Sequence, residues 1–158
     1  MNKLKITSLA LLLGLVIVSS CKDPVEPTPS AEEVQTALLA QSWKVGTSAN
    51  DISLDGSDEI ANWTNFSVVI NANGSYAASN ISEGREGTVW STSGSWAFKD
   101  AGTESVDVNT IIRDAGTANE TEIKITVSET SLKMTFDYTD PNGRASGING
   151  AWAFNMGL

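Results

Sequence analysis

Apolar and polar residues alternate along much of the chain with a period of two. The alternation is strictest in "TEIKITVS" (121–128) and "SLKMTFDYT" (131–139), and "GINGAWAFNM" (147–156) also places its large apolar residues on one face. A period of two is typical of strands with one buried and one solvated face, which pair antiparallel. The junction of the first two segments suits a tight turn, and "DPNGRASG" (140–147) supplies turn residues before the third.

Five more strands are predicted upstream, with looser alternation, at 42–46, 63–71, 75–80, 93–99 and 106–114. The turn "NANG" (71–74) is a strong hairpin signal between two of them. About eight strands follow one another with short turns and no helix between them, which predicts an all-β antiparallel meander that closes into a barrel. A β-sandwich is the alternative, because alternation alone does not reveal whether the first and last strands pair.

One short helix is predicted before the first strand. Ser30 and Glu33 have the spacing of a capping box, and Leu38 and Leu39 lie at helical intervals beyond it. We expect a helix of about ten residues that ends near Trp43.

The sequence Gly-x-Trp-Ala-Phe occurs twice, at 94–98 and 150–154. Trp and Phe lie two residues apart in each copy and should both point into the core, while the glycine leaves room for a bulky neighbour. An eight-stranded barrel can be filled by its own side chains or can hold one small ligand, and the number of inward rings favours filling. The rings predicted to face the interior are Trp43, Phe66, Tyr76, Trp96, Phe98, Phe136, Tyr138, Trp152 and Phe154.

The N-terminus has the composition of an export signal. A basic start, "MNKLK", precedes the apolar run 6–18, which is too short for a permanent membrane-spanning helix. The next residues, "VSSC" (18–21), resemble the lipobox of bacterial lipoproteins. This resemblance implies cleavage after residue 20, diacylation of the Cys21 thiol with fatty acids such as palmitate, and attachment to a membrane through that residue.

A proline-rich linker follows at 21–29 and separates the anchor from a domain at 30–158. "Cys-Lys-Asp" at the start of this linker resembles the export signal of surface lipoproteins of Bacteroidota. The resemblance implies an outer-membrane lipoprotein displayed on the cell surface, and the periplasmic leaflet is the alternative.

The domain resembles the small lipocalin-like lipoproteins of Bacteroidota. The resemblance rests on "ISLDGSDEIANWTNFSVVINANGSYAAS" (52–79), "VWSTSGSWAF" (89–98) and "GRASGINGAWAF" (143–154). It implies a lipocalin-like β-barrel, an architecture more than an activity. Binding of a small apolar or amphipathic ligand in that barrel is the first function hypothesis. The arginine that closes on the first-strand Trp in lipocalins is not evident in the last strand.

Composition excludes several kinds of chemistry. The chain has no histidine and one cysteine, so histidine-dependent catalysis and His-based metal sites are absent, and we expect no enzyme, cofactor or metal site. A carboxylate-dependent hydrolase is the weaker alternative. A net charge of −9, which would become more negative on loss of the signal, disfavours nucleic acid as a partner. The acidic stretch "NDISLDGSDE" (50–59) lacks the spacing of a calcium loop and is interpreted as a solvated hairpin with an Asp-Gly turn.

Four aromatic residues are candidates for contact with a ligand or partner. Trp63 and Trp90 fall near strand ends beside loops, where they either form a lid over the barrel or anchor a ligand. Tyr76 and Tyr138 are candidates among the inward residues. The predicted functions are binding of a small apolar ligand or, alternatively, a structural or interaction role in the cell envelope for a domain with a filled core.

Overall fold

The computed structural model describes residues 27–81, 89–140 and 147–158. The predicted signal peptide, Cys21 and most of the linker lie outside these residues. Most of the turn expected at 140–147 lies outside them too.

The helix α1 spans Ala31–Leu39. The capping box is confirmed, because the Glu33 N–H donates to Ser30 Oγ (3.1 Å) and the Ser30 N–H donates to Glu33 Oε2 (2.7 Å). The predicted end near Trp43 is wrong, since Trp43 lies in the first strand and its indole N–H donates to the Leu39 carbonyl (2.9 Å). This bond lets one tryptophan join the helix end to the barrel.

Within the described residues, ten strands and one 3-10 turn follow the helix. They are β1 Ser42–Val45, β2 Ile52–Leu54, β3 Ser57–Asp58, the turn Ile60–Asn62, β4 Ser67–Ile70, β5 Ser75–Ser79, β6 Ser93–Lys99, β7 Asp107–Arg113, β8 Thr121–Val127, β9 Ser131–Tyr138 and β10 Gly150–Gly157.

Eight of the strands form a closed antiparallel barrel. Neighbours along the chain pair from β4 to β10, and β1 pairs with β4 on one side and with β10 on the other. The predicted all-β, lipocalin-like barrel is therefore confirmed, and the sandwich alternative is wrong. The hairpin signals at 71–74 and 128–131 are confirmed too, with a left-handed Gly74 (φ +81°) closing the first.

The strands β2 and β3 form a hairpin that the sequence pattern does not predict fully. Asp55 and Gly56 both have positive φ, so the predicted Asp-Gly turn is confirmed. The hairpin is not simply solvated, however, because Ile52 and Leu54 enter the core and β2 pairs with β10. Asp55 holds this position, since the Ala151 N–H donates to its carboxylate (2.8 Å).

The connections between successive strands of the meander lie alternately at the two ends of the barrel. One end carries α1 and the short turns, and we call it the helix end. The other, the loop end, carries the connections 46–66 and 114–120 and the described parts of the connections after β5 and β9. Within the described ranges, no helix has the length and hydrophobicity needed to cross a membrane.

Both copies of Gly-x-Trp-Ala-Phe place their rings in the core, as predicted. Gly94 lies opposite Tyr76, and a Cβ there would overlap the Asp114 carboxylate and come within 2.7 Å of the Tyr76 hydroxyl. The room predicted beside the glycine is thus used by this pair. Gly150 (φ +141°) instead makes room for the Asp55 carboxylate, whose nearer oxygen would lie 2.5 Å from a Cβ at this position.

Candidate functional site

The barrel interior is filled by side chains. The chain has five Trp, two Tyr and four Phe residues, and every one of these rings is buried. The inward void beside Tyr76, Trp90 and Arg113 measures about 10 Å³. A cavity of that size holds at most about one water molecule. The described residues therefore leave no space in this void for a lipid-sized ligand.

Trp63 and Trp90 lie under the loop end rather than on its surface. Trp63 packs edge-on against Phe66, Trp152 and Phe154, with ring centroids 5.1–5.8 Å apart. Trp90 is 2 % exposed. Among the described residues neither indole N–H has an acceptor. This burial fits a lid over the barrel and leaves neither ring free to anchor a partner.

Arg113 is a buried cation inside the barrel, near the loop end. It is 1 % exposed, and its guanidinium carbon lies 4.4 Å from the centroid of the Trp90 ring. Nη1 donates to the Val89 carbonyl (3.0 Å) and Nη2 donates to Thr121 Oγ1 (2.9 Å). Burial lowers the pKa of Arg113, but a guanidinium remains charged at neutral pH. The stacking on Trp90 and the two hydrogen bonds offset part of the cost of burying the charge.

Asp114 supplies the counter-charge. Its Oδ2 lies 3.5 Å from Arg113 Nε and accepts a hydrogen bond from the Tyr76 hydroxyl (2.7 Å). Its Oδ1 accepts from the Ser95 N–H (3.0 Å). Asp114 adopts a left-handed conformation (φ 54°), which an aspartate tolerates better than most residues. We call Arg113, Asp114, Tyr76, Trp90 and Thr121 the arginine cluster.

One feature of the sequence indicates the arginine cluster. Arg113 lies two residues after Ile111, so the period of two places it on the inward face of β7. A charged residue at an inward position indicates a buried, partnered side chain. No such signal predicts the stacking of Arg113 on Trp90, because it depends on how Val89 and Trp90 enter the barrel.

The arginine cluster makes stability sensitive to alkaline pH. Burial, followed by the hydrogen bond to Asp114, raises the pKa of Tyr76 above its ordinary value of 10.0. The unfolded chain therefore loses this proton first, and the free energy of unfolding should fall as pH rises above about 10. We expect Tyr76→Phe to show a shallower fall in urea denaturation between about pH 9 and pH 11. Equal slopes in both proteins would contradict the assignment.

Tyr138 is also buried near this cluster. Burial, together with the negative charge of Asp140, raises its pKa. Tyr76 and Tyr138 therefore occur as core residues, and neither presents its ring at the surface.

A groove of about 680 Å³ lies on the outside of the barrel. It crosses the outer faces of β8, β9, β10 and β2, and we call it the outer groove. Its floor is a cross-strand row in which Lys124 pairs with Thr135, Thr135 with Ala153, and Ala153 with Ser53. Its other lining residues are Gly56, Glu120, Thr121, Glu122, Phe136, Asp137, Ala151 and Trp152. Nothing in the sequence pattern predicted this site.

The acidic stretch 50–59 uses its carboxylates to hold backbone. Asp51 accepts from the Ser48 N–H, and Asp58 accepts from the N–H groups of Asn50 and Ile60. Within the described part of the chain, no three acidic or cysteine side chains are grouped as metal ligands. These carboxylates therefore act as caps for the loop that carries the β2–β3 hairpin.

Comparisons with known proteins do not extend this geometry to a family. No protein-family model matches the chain, and neither the curated proteins nor the solved structures contain a significant match.

Proposed function

We propose that this chain is an exported, lipid-anchored recognition protein whose barrel is a filled scaffold. Its binding surface is then the outside of the barrel. The role is non-catalytic, because the chain has no histidine and the carboxylates of its acidic loop accept hydrogen bonds from backbone N–H groups. These carboxylates belong to Asp51, Asp55 and Asp58.

The observation that carries the proposal is the interior void of about 10 Å³. Small-molecule sites in proteins measure several hundred cubic ångströms, about 300–1,000 Å³. Storage of a fatty acid or sterol would require several of the buried rings to leave the core. The predicted binding of an apolar ligand inside the barrel is therefore the less favoured function.

Apolar ligands are expected to leave the stability of the barrel unchanged. A ligand present at a hundred times its Kd would add about 2.7 kcal/mol, which raises Tm by several degrees for a domain of this size. Thermal unfolding of the fragment 30–158, with and without fatty acids, sterols and haem, measures this directly. A reproducible rise with one of these classes would overturn the filled-scaffold proposal.

The anchor is expected to depend on Cys21. The chain should partition into the detergent phase of a bacterial extract, because several acyl chains on one residue give stable membrane attachment. Cys21→Ser removes the thiol that is acylated and should move the protein to the aqueous phase. Phase separation and the intact mass of the N-terminal peptide measure the change. Equal partitioning of both proteins would contradict lipidation at Cys21.

Surface display follows from the same proposal. "Cys-Lys-Asp" at 21–23 supports the outer face of the outer membrane, and the periplasmic leaflet is the alternative. Protease digestion of intact cells distinguishes the two, since only a surface protein is cut without lysis.

A further inference from the structure

We infer that the outer groove binds a neutral, hydroxyl-rich molecule, an oligosaccharide. This inference deepens the proposed function, since it names the external ligand of a filled barrel. It rests on the geometry of the groove and on the hydrogen-bonding groups that line it.

The groove is wide enough for an extended ligand. Its floor crosses four strands, and neighbouring strands lie about 4.8 Å apart, so the row from Lys124 to Ser53 spans about 14 Å. The side chains in the middle of the row are short, because Thr135 and Ala153 occupy it and Ala151 lies beside them. A ligand can therefore approach the sheet closely along its length.

Ser53 provides an observation that is independent of the shape. It lies on the outward face of β2, between the inward residues Ile52 and Leu54, and it lines the groove. It is 9 % exposed, and its hydroxyl makes no hydrogen bond to any described residue. The hydroxyl is not one of the fully enclosed unpaired polar atoms, so it stays within reach of the groove. A hydroxyl both donates and accepts hydrogen bonds, so a ligand hydroxyl in the groove can pair with it.

The remaining groups are of both hydrogen-bonding kinds. Lys124 donates and Asp137 accepts, and within the described residues neither forms an ion pair within 4.0 Å. The hydroxyl of Thr135 can do both. Each hydroxyl of a sugar likewise donates and accepts, so one molecule can satisfy all three side chains and Ser53.

The charge and the polarity of the groove exclude other classes. Glu120 and Asp137 add negative charge, while Glu122 is neutralised by Lys99 (2.9 Å), so an anionic ligand is repelled. The only small apolar side chains in the lining are alanines, and no ring is exposed there, so an apolar ligand gains little. A neutral polar molecule remains.

Titration of neutral hexasaccharides into the full chain tests the inference. The probes are hexamers of glucose, xylose, mannose and N-acetylglucosamine, followed by calorimetry in a detergent without a sugar headgroup. We expect saturable binding of at least one. Ala151→Trp should fill the groove and raise Kd roughly tenfold or more, and Lys124→Met should raise it roughly tenfold, since each factor of ten is 1.4 kcal/mol.

Matched controls lie outside the groove on the same barrel. Ala77→Trp adds the same bulk at an exposed alanine of β5, and Lys133→Met removes an exposed cation from β9, so both should bind like the parent chain. Circular dichroism confirms that each variant is folded. The inference is overturned if no hexasaccharide binds, or if Ala151→Trp binds as well as Ala77→Trp. Hexalysine serves as a cationic probe. Binding of hexalysine without binding of any hexasaccharide would overturn the inference as well. The filled-scaffold proposal fails on a separate result, stabilisation by an apolar ligand.

Discussion

Replacing Arg113 with methionine should lower the free energy of unfolding by about 3 kcal/mol, because loss of one partner of a buried ion pair leaves the other charge uncompensated. Methionine keeps most of the volume but cannot donate to the Val89 carbonyl or to Thr121 Oγ1. Asp114 would keep its hydrogen bonds from Tyr76 and Ser95 but would lose its cation. Urea denaturation of the fragment 30–158 measures the change.

Two further variants separate the ion pair from its surroundings. Lys133→Met removes an exposed cation that does not belong to the arginine cluster. It should lower the free energy of unfolding by less than about 0.5 kcal/mol. The double variant Arg113→Met/Asp114→Asn should cost less than the sum of the two single changes, because neither charge is then left alone. A cost below about 1 kcal/mol for Arg113→Met would mean that the cluster adds little net stability.

Phe154→Ala should be the most damaging change to the aromatic core. Phe154 is fully buried, and its ring centroid lies 5.2–6.0 Å from those of five other rings: Trp63, Phe66, Trp90, Phe136 and Trp152. Truncation of a buried Phe costs about 3–5 kcal/mol, as transfer free energy is lost and a cavity remains. Against a typical total of 5–15 kcal/mol, roughly, the domain would be close to unfolding at 37 °C.

The loss should appear both in urea denaturation and in the near-ultraviolet circular dichroism of the packed rings. Phe154→Leu keeps much of the volume and should cost clearly less. Val69→Ala truncates an apolar residue that is 41 % exposed on β4 and should change stability little. If Phe154→Ala and Val69→Ala lowered the free energy of unfolding equally, Phe154 and the five rings around it would not form one packed unit.

The strands of the barrel could be predicted because alternation is a local signal. The barrel strands turn their large apolar residues inward and mostly polar or small residues outward, and the sequence carries that pattern directly. The hairpin β2–β3 is harder to predict from the sequence. Ile52 and Leu54 are flanked by acidic residues, and only pairing with β10 reveals that they are buried.

The candidate site could not be predicted in the same way. The outer groove joins Ser53 to β8, β9 and β10, which lie far from it in the sequence, and no sequence motif predicts that its floor residues form one row. Trp63 and Trp90 gave a partial signal, since their position beside loops is compatible with a lid or with an exposed anchor. Only the fold of the loops decides between the two.

The pairing of β1 with β10 also affects how the chain can fold. The ring closes through Lys44 opposite Gly157 and Val45 opposite Met156, so it stays open until the last strand is in place, even though β1 can already pair with β4. Contacts between such distant residues slow folding, because a long loop must be closed before they form. A chain that is threaded through an export channel would therefore keep an open, incomplete sheet until β10 emerges.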